Sequence, residues 1–289
     1  MRKDSQMIPK LVKLQNVDGI AGNGRPIVNL PRANIYHGLF LLCRTSAGVL
    51  LTEAEIEADI TNIRVRVDGD LKVETTAAVL FDLYRYWYAM NGAYTIAGQI
   101  PILFVRPNLQ FAAERSLLAW GMDGIESFNL ELDLAATLAK VATIQIWALQ
   151  EVGKRALGRH LCIGKHPRIF GSTGVQQVSD IPYGDVDNLI LADHITVGSG
   201  AISDVTVRLN QSDVWQELQN DLNKLVLNCV GRTAQTGYFH LDFAQFNDRT
   251  AYLPSGGLSS LQYDINFSTQ PNNYIIYREE IRGATKPAA

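Results

Sequence analysis

Two stretches of the sequence share one pattern: NIRVRVDGDLKVET (residues 62–75) and DVTVRLNQSDVWQE (residues 204–217). In the first, Ile63, Val65 and Val67 alternate with polar residues, which is typical of a β-strand with one buried and one solvated face. A helical pattern is associated with both stretches. Together they predict an internal repeat built around a strand and a helix.

The repeat extends along both halves of the chain, because segments of the same kind follow in the same order. In the first half, we predict a core strand at NIYHGLFLLCRTS (residues 34–46), a tight turn at Asp68 and Gly69, and a helix over residues 76–90. In the second half, NLILADHITV is the core-strand pattern, and the helix is predicted over residues 212–227. Alternating strands then complete each half, ESFNLELDLA and ATIQIWALQEV in the first and SLQYDINFST and NYIIYREEI in the second.

The second predicted helix rests on two signals. Ser212 or Asp213 is a suitable N-cap residue, and an apolar stripe at helical spacing follows it. The stripe consists of Val214, Leu218, Leu222 and Leu225.

The spacing between equivalent segments supports a duplication. The offset from Ile63 to Val205 is only slightly longer than the offset from Phe128 to Leu261. Loops tolerate insertions and deletions whereas strands do not, so a small drift of this kind is typical of loop-length differences between two copies. Identity between the halves is low, so the repeat is one of architecture more than of residues.

Many short strands and one convincing helix in each half favour an all-β fold over alternating βαβ units. We therefore predict two tandem jelly-roll domains, which are antiparallel β-sandwiches, each with one prominent embedded helix. The glycine-rich, basic stretch 151–174 is typical of a connection. The predicted domains are an N-terminal arm and lead-in at 1–33, a first jelly roll at 34–155, and a second jelly roll with a C-terminal tail at 156–289.

The composition is that of a folded protein, with 47% hydrophobic and 19% charged residues. A net charge of −3 argues against a general nucleic-acid surface, because phosphate binding usually leaves a basic excess, and no specific nucleic-acid binding is predicted. Cys43, Cys162 and Cys229 lie far apart and are odd in number, which predicts free thiols and folding in the cytoplasm. No secretory signal and no apolar stretch of about 18 residues is predicted.

The motifs of common enzyme classes are missing: G-x-S-x-G, the P-loop, G-x-G-x-x-G and H-E-x-x-H do not occur. We therefore predict no enzymatic activity, no catalytic residues and no required cofactor. A structural calcium ion is one possibility, because the turn-rich SDIPYGDVDN offers oxygen ligands, although a polar surface loop has the same composition. The candidate ligands are Asp180, Asp185, Asp187 and Asn188.

Two other groups of residues have alternative interpretations. HLCIGKH offers His160, Cys162 and His166 for zinc, but a fourth ligand is not obviously placed, so a connection between domains is preferred. Four tryptophans could form a sugar-stacking platform, although packing in the core or at a subunit interface is preferred. They are Trp87, Trp120, Trp147 and Trp215.

Two tandem halves, each with a strand such as NIRVRVDGD or DVTVRLNQSD and a helix, resemble the double jelly-roll major capsid proteins of icosahedral bacteriophages with an internal membrane, in particular the corticovirus-like coat proteins. The resemblance covers about residues 34–281 and rests on length, element order and these paired segments. It implies a viral coat protein that forms pseudo-hexameric homotrimers and tiles an icosahedral shell. Three chains with two equivalent domains each present six similar corners, which would give the repeat its purpose.

The resemblance also implies partners and a location. The chain would contact its own copies in the trimer, neighbouring capsid trimers and the vertex (penton) protein. Its basic start, from Met1 to Lys13, would face the capsid interior or the internal viral membrane. Synthesis in a bacterial host cytoplasm would be followed by incorporation into the virion capsid, and calcium occurs in some relatives.

Two other classes of protein remain as alternatives. A carbohydrate-binding or carbohydrate-active β-sandwich protein predicts a concave face with clustered Trp, Asp and Glu, and a monomer or small oligomer. A phage spike or adhesin domain would also be trimeric, but such domains are normally built from β-helix or single-roll modules.

Overall fold

The computed structural model describes residues 9–88, 97–106, 116–169, 171–183, 187–197, 201–244, 252–271 and 273–283. Within these residues the chain forms eighteen strands and three helices. It divides into two compact units. The first unit comprises Met1–Tyr84, Ala93–Leu161 and Gly283–Ala289, and the second comprises Arg85–Gly92 and Cys162–Arg282.

The first unit contains nine strands: β1 (Lys10–Asn16), β2 (Ile27–Asn29), β3 (Ile35–Arg44), β4 (Ile60–Val67), β5 (Asp70–Thr75), β6 (Gln99–Leu103), β7 (Trp120–Gly121), β8 (Phe128–Leu134) and β9 (Thr143–Glu151). The second contains β10 (His160–Ile169), β11 (Gly174–Val178), β12 (Leu189–Thr196), β13 (Ile202–Leu209), β14 (Ser212–Gln219), β15 (Tyr238–Asp242), β16 (Leu253–Pro254), β17 (Leu261–Phe267) and β18 (Asn273–Arg282). The helices are α1 (Glu53–Asp59), α2 (Ala77–Tyr88) and α3 (Asn220–Cys229). The first two residues of β10 are assigned to the first unit.

Both units have the same pair of sheets. In the first unit the strand orders are β1-β9-β3-β6, with β7 beside β3, and β2-β8-β4-β5. In the second unit they are β10-β18-β12-β15, with β16 beside β12, and β11-β17-β13-β14. Each strand of the second unit is the ninth strand after its counterpart. The predicted fold of two tandem jelly rolls is confirmed.

The correspondence extends to local irregularities of the backbone. A β-bulge interrupts the pairing of β3 with β9 between Tyr36 and Gly38, and a bulge interrupts β12 with β18 between Ile190 and Ala192. A bulge is a specific device that bends a strand, so its recurrence at equivalent positions supports true duplication.

The hairpin turns of the two units also match. Asp68 and Gly69 join β4 to β5 with φ of 51° and 80°. Asn210 and Gln211 join β13 to β14 with φ of 51° and 68°, at the same offset that separates Ile63 from Val205. Positive φ at both central residues suits the right-handed twist of a tight hairpin, so Gln211 adopts a conformation that usually favours glycine or asparagine.

One surface ion pair also recurs in both units. Arg66 on β4 donates to Glu131 on β8 at 2.9 Å, and Arg208 on β13 donates to Asp264 on β17. The two arginines are separated by the same number of residues as Ile63 and Val205 on the same strands. The two carboxylates are separated by the same number as Phe128 and Leu261, the first residues of β8 and β17. The pair is therefore a conserved feature of the repeat within this chain.

The core of each unit lies between its two sheets and follows the alternation of the strands. Leu39 and Leu41 on β3 and Ile144 and Ile146 on β9 are fully buried. In the second unit, apolar side chains of β12, β13, β15, β17 and β18 form one cluster. Burial of these residues supplies the main driving force for folding of each sandwich.

Helix α1 was not predicted from the sequence. Thr52 and Glu55 form a capping box at its start, with reciprocal bonds between each side chain and the backbone of the other. At its end the buried carboxylate of Asp59 accepts backbone N–H groups of Ala139, Lys140 and Val141 at 2.6–2.8 Å. This carboxylate therefore holds the loop between β8 and β9, the strands predicted at ESFNLELDLA and ATIQIWALQEV.

The prediction of a helix over residues 212–227 was wrong for its first half. Ser212–Gln219 is strand β14, and the helix begins at Asn220 with Gln219 as its N-cap residue. Val214 and Leu218 fit a helical stripe by spacing, but Leu218 pairs with Val205 across the hairpin. The tight turn at Asn210 brings this segment back beside β13, so backbone pairing prevails over helical periodicity.

Two segments predicted to lie outside the sheets are strands. The predicted arm and lead-in at 1–33 contains β1 and β2, both in the first unit, while residues 1–8 lie outside the described residues. The predicted connection at 151–174 contains β10. β1 and β2 are end strands of their sheets, and short or polar edge strands carry a weak alternation signal, which explains why they were not predicted. β10 has ten residues, but the glycine and basic residues of this stretch made its strand pattern hard to recognise.

Candidate functional site

An apolar patch covers the outer surface of the first unit's sheet β1-β9-β3-β6. Leu11 pairs with Leu149, and Phe40 pairs with Trp147, so these side chains point to the same side of the sheet. The intervening residues on β3 and β9 point to the core. We define the apolar face as Leu11, Phe40, Leu42, Leu103, Trp147 and Leu149.

The apolar face is partly open to solvent. Leu11 is 59% exposed, and the other five residues are half-buried. Five of the six, with Gln99, line a shallow groove of about 340 Å³. Contiguous apolar surface of this kind marks an interaction site more often than does a single exposed residue.

The equivalent surface of the second unit is polar. In the first unit Gly38 pairs with Leu103 and Leu149, and the corresponding Ala192 pairs with Asp242 and Glu279. By the same register, His194 corresponds to Phe40, His240 to Pro101 and Tyr277 to Trp147. We define the polar face as His194, His240, Asp242, Tyr277 and Glu279. Each of these five residues is at most 1% exposed.

Two aromatic residues at the end of helix α2 cover the polar face. The Tyr86 hydroxyl donates to Asp242 Oδ2 at 2.8 Å, and Trp87 Nε1–H donates to Glu279 Oε1 at 2.8 Å. The Tyr86 ring stacks on His240 with ring centroids 4.3 Å apart. Both residues belong to the second unit, so the cover satisfies buried carboxylates that would otherwise be costly.

Arg232 completes this cover. Its guanidinium lies 4.2 Å from the centre of the Trp87 ring, and its Nε donates to Asp242 Oδ2 at 3.1 Å. Arg232 and Asp242 are both almost fully buried. Buried charge is tolerated here because the cation and the carboxylate are paired.

The two histidines of the polar face share one hydrogen bond, with their Nδ1 atoms 2.6 Å apart. The backbone N–H of Gln235 donates to His240 Nε2 at 3.1 Å, so neutral His240 carries its proton on Nδ1. His240 therefore donates to His194, whose Nε2–H faces Glu279 Oε1 at 3.5 Å. Burial lowers the pKa of His240 to about 3, which keeps this ring neutral.

A second buried ion pair lies in the core of the second unit. Arg278 donates through Nε and Nη2 to the two carboxylate oxygens of Asp193 at 2.8 and 2.7 Å, and through Nη1 to the Pro182 carbonyl at 2.8 Å. Tyr263 donates to the same carboxylate. Burial lowers the pKa of Arg278, but Asp193, Tyr263 and Glu280 together raise it above its usual value, so the guanidinium stays charged. This cluster is fully enclosed, which indicates a structural role.

The predicted calcium ligands are not brought together by the described residues. Asp180 pairs with Arg168 at 2.7 Å, which makes its carboxylate a poor cation ligand. The backbone carbonyl of Asn188 accepts from Ser255, Asp187 is exposed, and Asp185 lies outside the described residues. No group of three His, Cys, Asp or Glu side chains suited to a metal was found in the described part of the chain. Calcium stays a prediction.

The tryptophans do not form one exposed platform. Trp87 and Trp120 are buried, with Trp120 stacked on Phe104 at 3.9 Å. Trp147 belongs to the apolar face, and Trp215 stacks on Phe243 at 4.9 Å. The preferred interpretation of these rings as packing residues agrees with this arrangement, and the sugar-stacking platform loses its support.

Neither face was predicted as a surface from the sequence. In ATIQIWALQEV, Trp147 falls on the strand face opposite Ile144 and Ile146, and this is the single signal in the sequence of an outward apolar residue. His194 and His240 are far apart in the sequence, and no motif connects them.

Two family models of viral coat proteins match most of the chain. The model of the viral coat protein P2 N-terminal domain matches residues 11–152, and that of the viral coat protein P2 C-terminal domain matches residues 163–283. No curated protein sequence matches the chain. None of the helices among the described residues is long and apolar enough to span a membrane.

Several solved structures share the fold. The major capsid protein P2 of bacteriophage PM2 has a TM-score of 0.82 at 19% identity, with 98% of this chain and 100% of that chain covered. The capsid of PBCV-1 virus gives 0.63 at 10% identity, covering 97% and 96%. A chain of Sulfolobus turreted icosahedral virus gives 0.67 at 10% identity, covering 95% and 91%.

The fold and these matches define a double jelly-roll viral major capsid protein, whose role is structural and whose location is the virion capsid. More specifically, the chain belongs to the viral coat protein P2 family.

Proposed function

We propose that three copies of this chain form a homotrimer of pseudo-hexameric outline and that these trimers tile an icosahedral shell. The observation that carries the proposal is the close equivalence of the two units, which share strand order, a bulge, a hairpin turn and an ion pair. A threefold assembly of two equivalent units presents six similar corners, so it can occupy a sixfold lattice position.

The apolar face gives this assembly a physical driving force. Leu11, Phe40 and Trp147 belong to a surface that remains partly open in the single chain. Burial of apolar side chains between copies contributes about 25 cal/mol per Å² before the entropic cost of association. The equivalent polar face is already covered, so the two units offer different surfaces to other molecules.

The finer partner assignments extend this proposal. Neighbouring trimers and a vertex protein would contact the rim of the trimer, and the basic residues between Met1 and Lys13 would face the capsid interior or an internal membrane. Lys10 is exposed on β1, which supports access to such a surface. The three cysteines are free, which is consistent with synthesis in a bacterial host cytoplasm before assembly.

Absolute mass by size exclusion with light scattering tests the trimer directly. The expected result is one species of three times 32.0 kDa, with a hexagonal outline in negative-stain images. A monomer at every concentration would contradict the proposal. The same measurement with a calcium chelator tests the loop at residues 180–188, because loss of the trimer would support the calcium prediction.

A further inference from the structure

Helix α3 has two faces of different character. Asn223 and Leu227 are buried within the second unit, where the Asn223 side chain donates to the His240 carbonyl at 2.8 Å. Leu222 and Leu225 are 51% and 59% exposed, and Cys229 is also exposed. Residues three and four apart share a helix face, so these three form one continuous stripe open to solvent. We name Leu222, Leu225 and Cys229 the α3 stripe.

Helices α2 and α3 occupy equivalent places in the repeat. Each follows the strand that completes the tight hairpin, β5 for α2 and β14 for α3. Thr76 accepts the backbone N–H of Val79 just before α2, and Gln219 is the N-cap residue of α3. Tyr86 is the tenth residue after Thr76 and Cys229 is the tenth after Gln219, so Cys229 is the counterpart of Tyr86.

In the second unit, the end of α2 covers the polar face through Tyr86 and Trp87. The apolar face of the first unit is the counterpart of that polar face and is partly open. The α3 stripe is in turn an apolar part of helix α3 that is open to solvent. The repeat therefore contains two helices and two sheet surfaces. Within the chain, the end of α2 covers the polar face, which leaves the α3 stripe and the apolar face open to solvent.

We propose that the α3 stripe of one copy covers the apolar face of a second copy, an inference that rests on the proposed trimer. Each contact then links the second unit of one chain to the first unit of the next. Such a head-to-tail contact is heterologous, and it closes into a ring when the rotation per copy is one third of a turn. The trimer thereby contains six helix-on-sheet contacts at corresponding places of the repeat, three within chains and three between them.

The chemistry of each cover matches its own surface. Tyr86 and Trp87 bring an O–H and an N–H to Asp242 and Glu279. The α3 stripe has aliphatic and thiol groups, which suit Phe40, Trp147 and Leu149. An aliphatic helix on the polar face would remove the donors that Tyr86 and Trp87 supply to the buried carboxylates of Asp242 and Glu279, so the α3 stripe is poorly suited to that surface.

Charges at the edge of the contact are also complementary. Lys13 is exposed and pairs with Trp147, so its side chain lies at the rim of the apolar face. Asp221 is exposed and directly precedes Leu222, and its carboxylate lies 3.6 Å from Lys224 Nζ on the same helix, so Lys13 would share this carboxylate with Lys224. Opposite charges at a rim guide association and orientation more than they increase affinity.

Cross-linking between copies tests the contact directly. Cys229 of one copy is expected to face Leu103 of the next. Its counterpart Tyr86 contacts Asp242 within the chain, and Asp242 is the counterpart of Leu103. The full chain carrying Leu103→Cys is treated with a short bis-maleimide. Covalent dimers and trimers are expected on denaturing gels, and Cys43 and Cys162 do not interfere because both are buried.

Two controls identify the reacting pair. Leu103→Cys combined with Cys229→Ser is expected to give no covalent oligomer. Ile27→Cys with native Cys229 is also expected to give none, because Ile27 is 62% exposed but lies on β2 of the other sheet. Equal cross-linking from Ile27→Cys would overturn the proposed contact.

A stability measurement provides the second test. Leu222→Ser with Leu225→Ser removes two apolar contacts per interface, and the concentration at which the trimer half-dissociates is expected to rise about a hundredfold. Val175→Ser is the matched control, because Val175 is 64% exposed on β11, outside both surfaces. Near-ultraviolet circular dichroism checks that each variant is folded.

The outcomes separate this inference from the proposed function. A wild-type trimer that is unaffected by the two serine substitutions and is not cross-linked would overturn the α3 contact while the trimer stands. A wild-type monomer would overturn both. Specific cross-linking together with weakened trimers would support both.

Discussion

His194 and His240 share a single hydrogen bond between their Nδ1 atoms, 2.6 Å apart, beneath the Tyr86 ring. Asp242, Glu279 and Arg232 lie in the same buried cluster. Since His240 accepts from Gln235 and donates to His194, the pair is arranged for two neutral rings. This geometry makes the second unit sensitive to acid.

We expect the second unit to lose stability as the pH falls below 6.5. Burial lowers the pKa of His240 to about 3 in the folded state, so the unfolded chain binds the proton first. This group's contribution is complete above pH 6.5 and decreases progressively toward pH 3, by about 2 kcal/mol between pH 6.5 and 5. Denaturant unfolding followed by tryptophan fluorescence at several pH values measures the slope.

His240→Gln is the matched variant for the pH measurement. Its amide can accept from Gln235 and donate to His194, but it does not titrate. A shallower decline of the free energy of unfolding between pH 6.5 and 5 is expected than in the wild type. Identical slopes in the two proteins would contradict the assignment to His240.

Removal of the buried guanidinium of Arg278 should be costly. Arg278→Met leaves the Asp193 carboxylate in the core without its cation, and we expect a loss of about 3–5 kcal/mol in the free energy of unfolding. Arg66→Met is the control, because Arg66 and Glu131 form a surface pair with side chains 31% and 20% exposed, and its loss should cost under about 1 kcal/mol. Equal effects in chemical denaturation would show that the buried pair contributes no more than the surface pair.

The carboxylate of Asp59 should control the loop between β8 and β9. Asp59→Ala removes the acceptor of three backbone N–H groups, at Ala139, Lys140 and Val141, and should destabilise the first unit by about 2–3 kcal/mol. Hydrogen exchange is expected to accelerate first at residues 139–141. Glu57→Ala, on the same helix but exposed, is the control. Unchanged exchange in the loop would show that other contacts hold it.

A side chain at Gly121 should not be tolerated. A Cβ at this position would lie 2.1 Å from the Arg155 carbonyl oxygen and 2.6 Å from that of Ala156. Because both atoms belong to the backbone, Gly121→Ala must displace β7 or residues 155–156, and we expect a lower melting temperature. Gly158→Ala is the control, since a Cβ there meets no atom within 4 Å. Equal melting temperatures for the two variants would contradict the close approach.

The alternation of Ile63, Val65 and Val67, and of Leu261 and Ile265, was enough to predict paired sandwiches, because strand faces repeat every two residues. Residues 212–219 were mistaken for helix, since Val214 and Leu218 at a spacing of four fit a helix as well as a strand. Only the pairing of β14 with β13 decides between them. The calcium hypothesis could not be judged from composition, because the ion pair of Asp180 with Arg168 depends on the folded chain.

By itself, the sequence determined the all-β class, the duplication and the resemblance to capsid proteins, because alternation and spacing are local properties that survive without knowledge of contacts. The tertiary structure decided which apolar residues point outward. In LFLLC (residues 39–43), both faces of the strand are apolar, so the sequence does not distinguish Leu39, which is buried, from Phe40, which belongs to the apolar face. The tertiary structure also brought His194, His240 and Tyr86 together. Contact between residues distant in the chain depends on strand register and helix placement, which no local sequence pattern records.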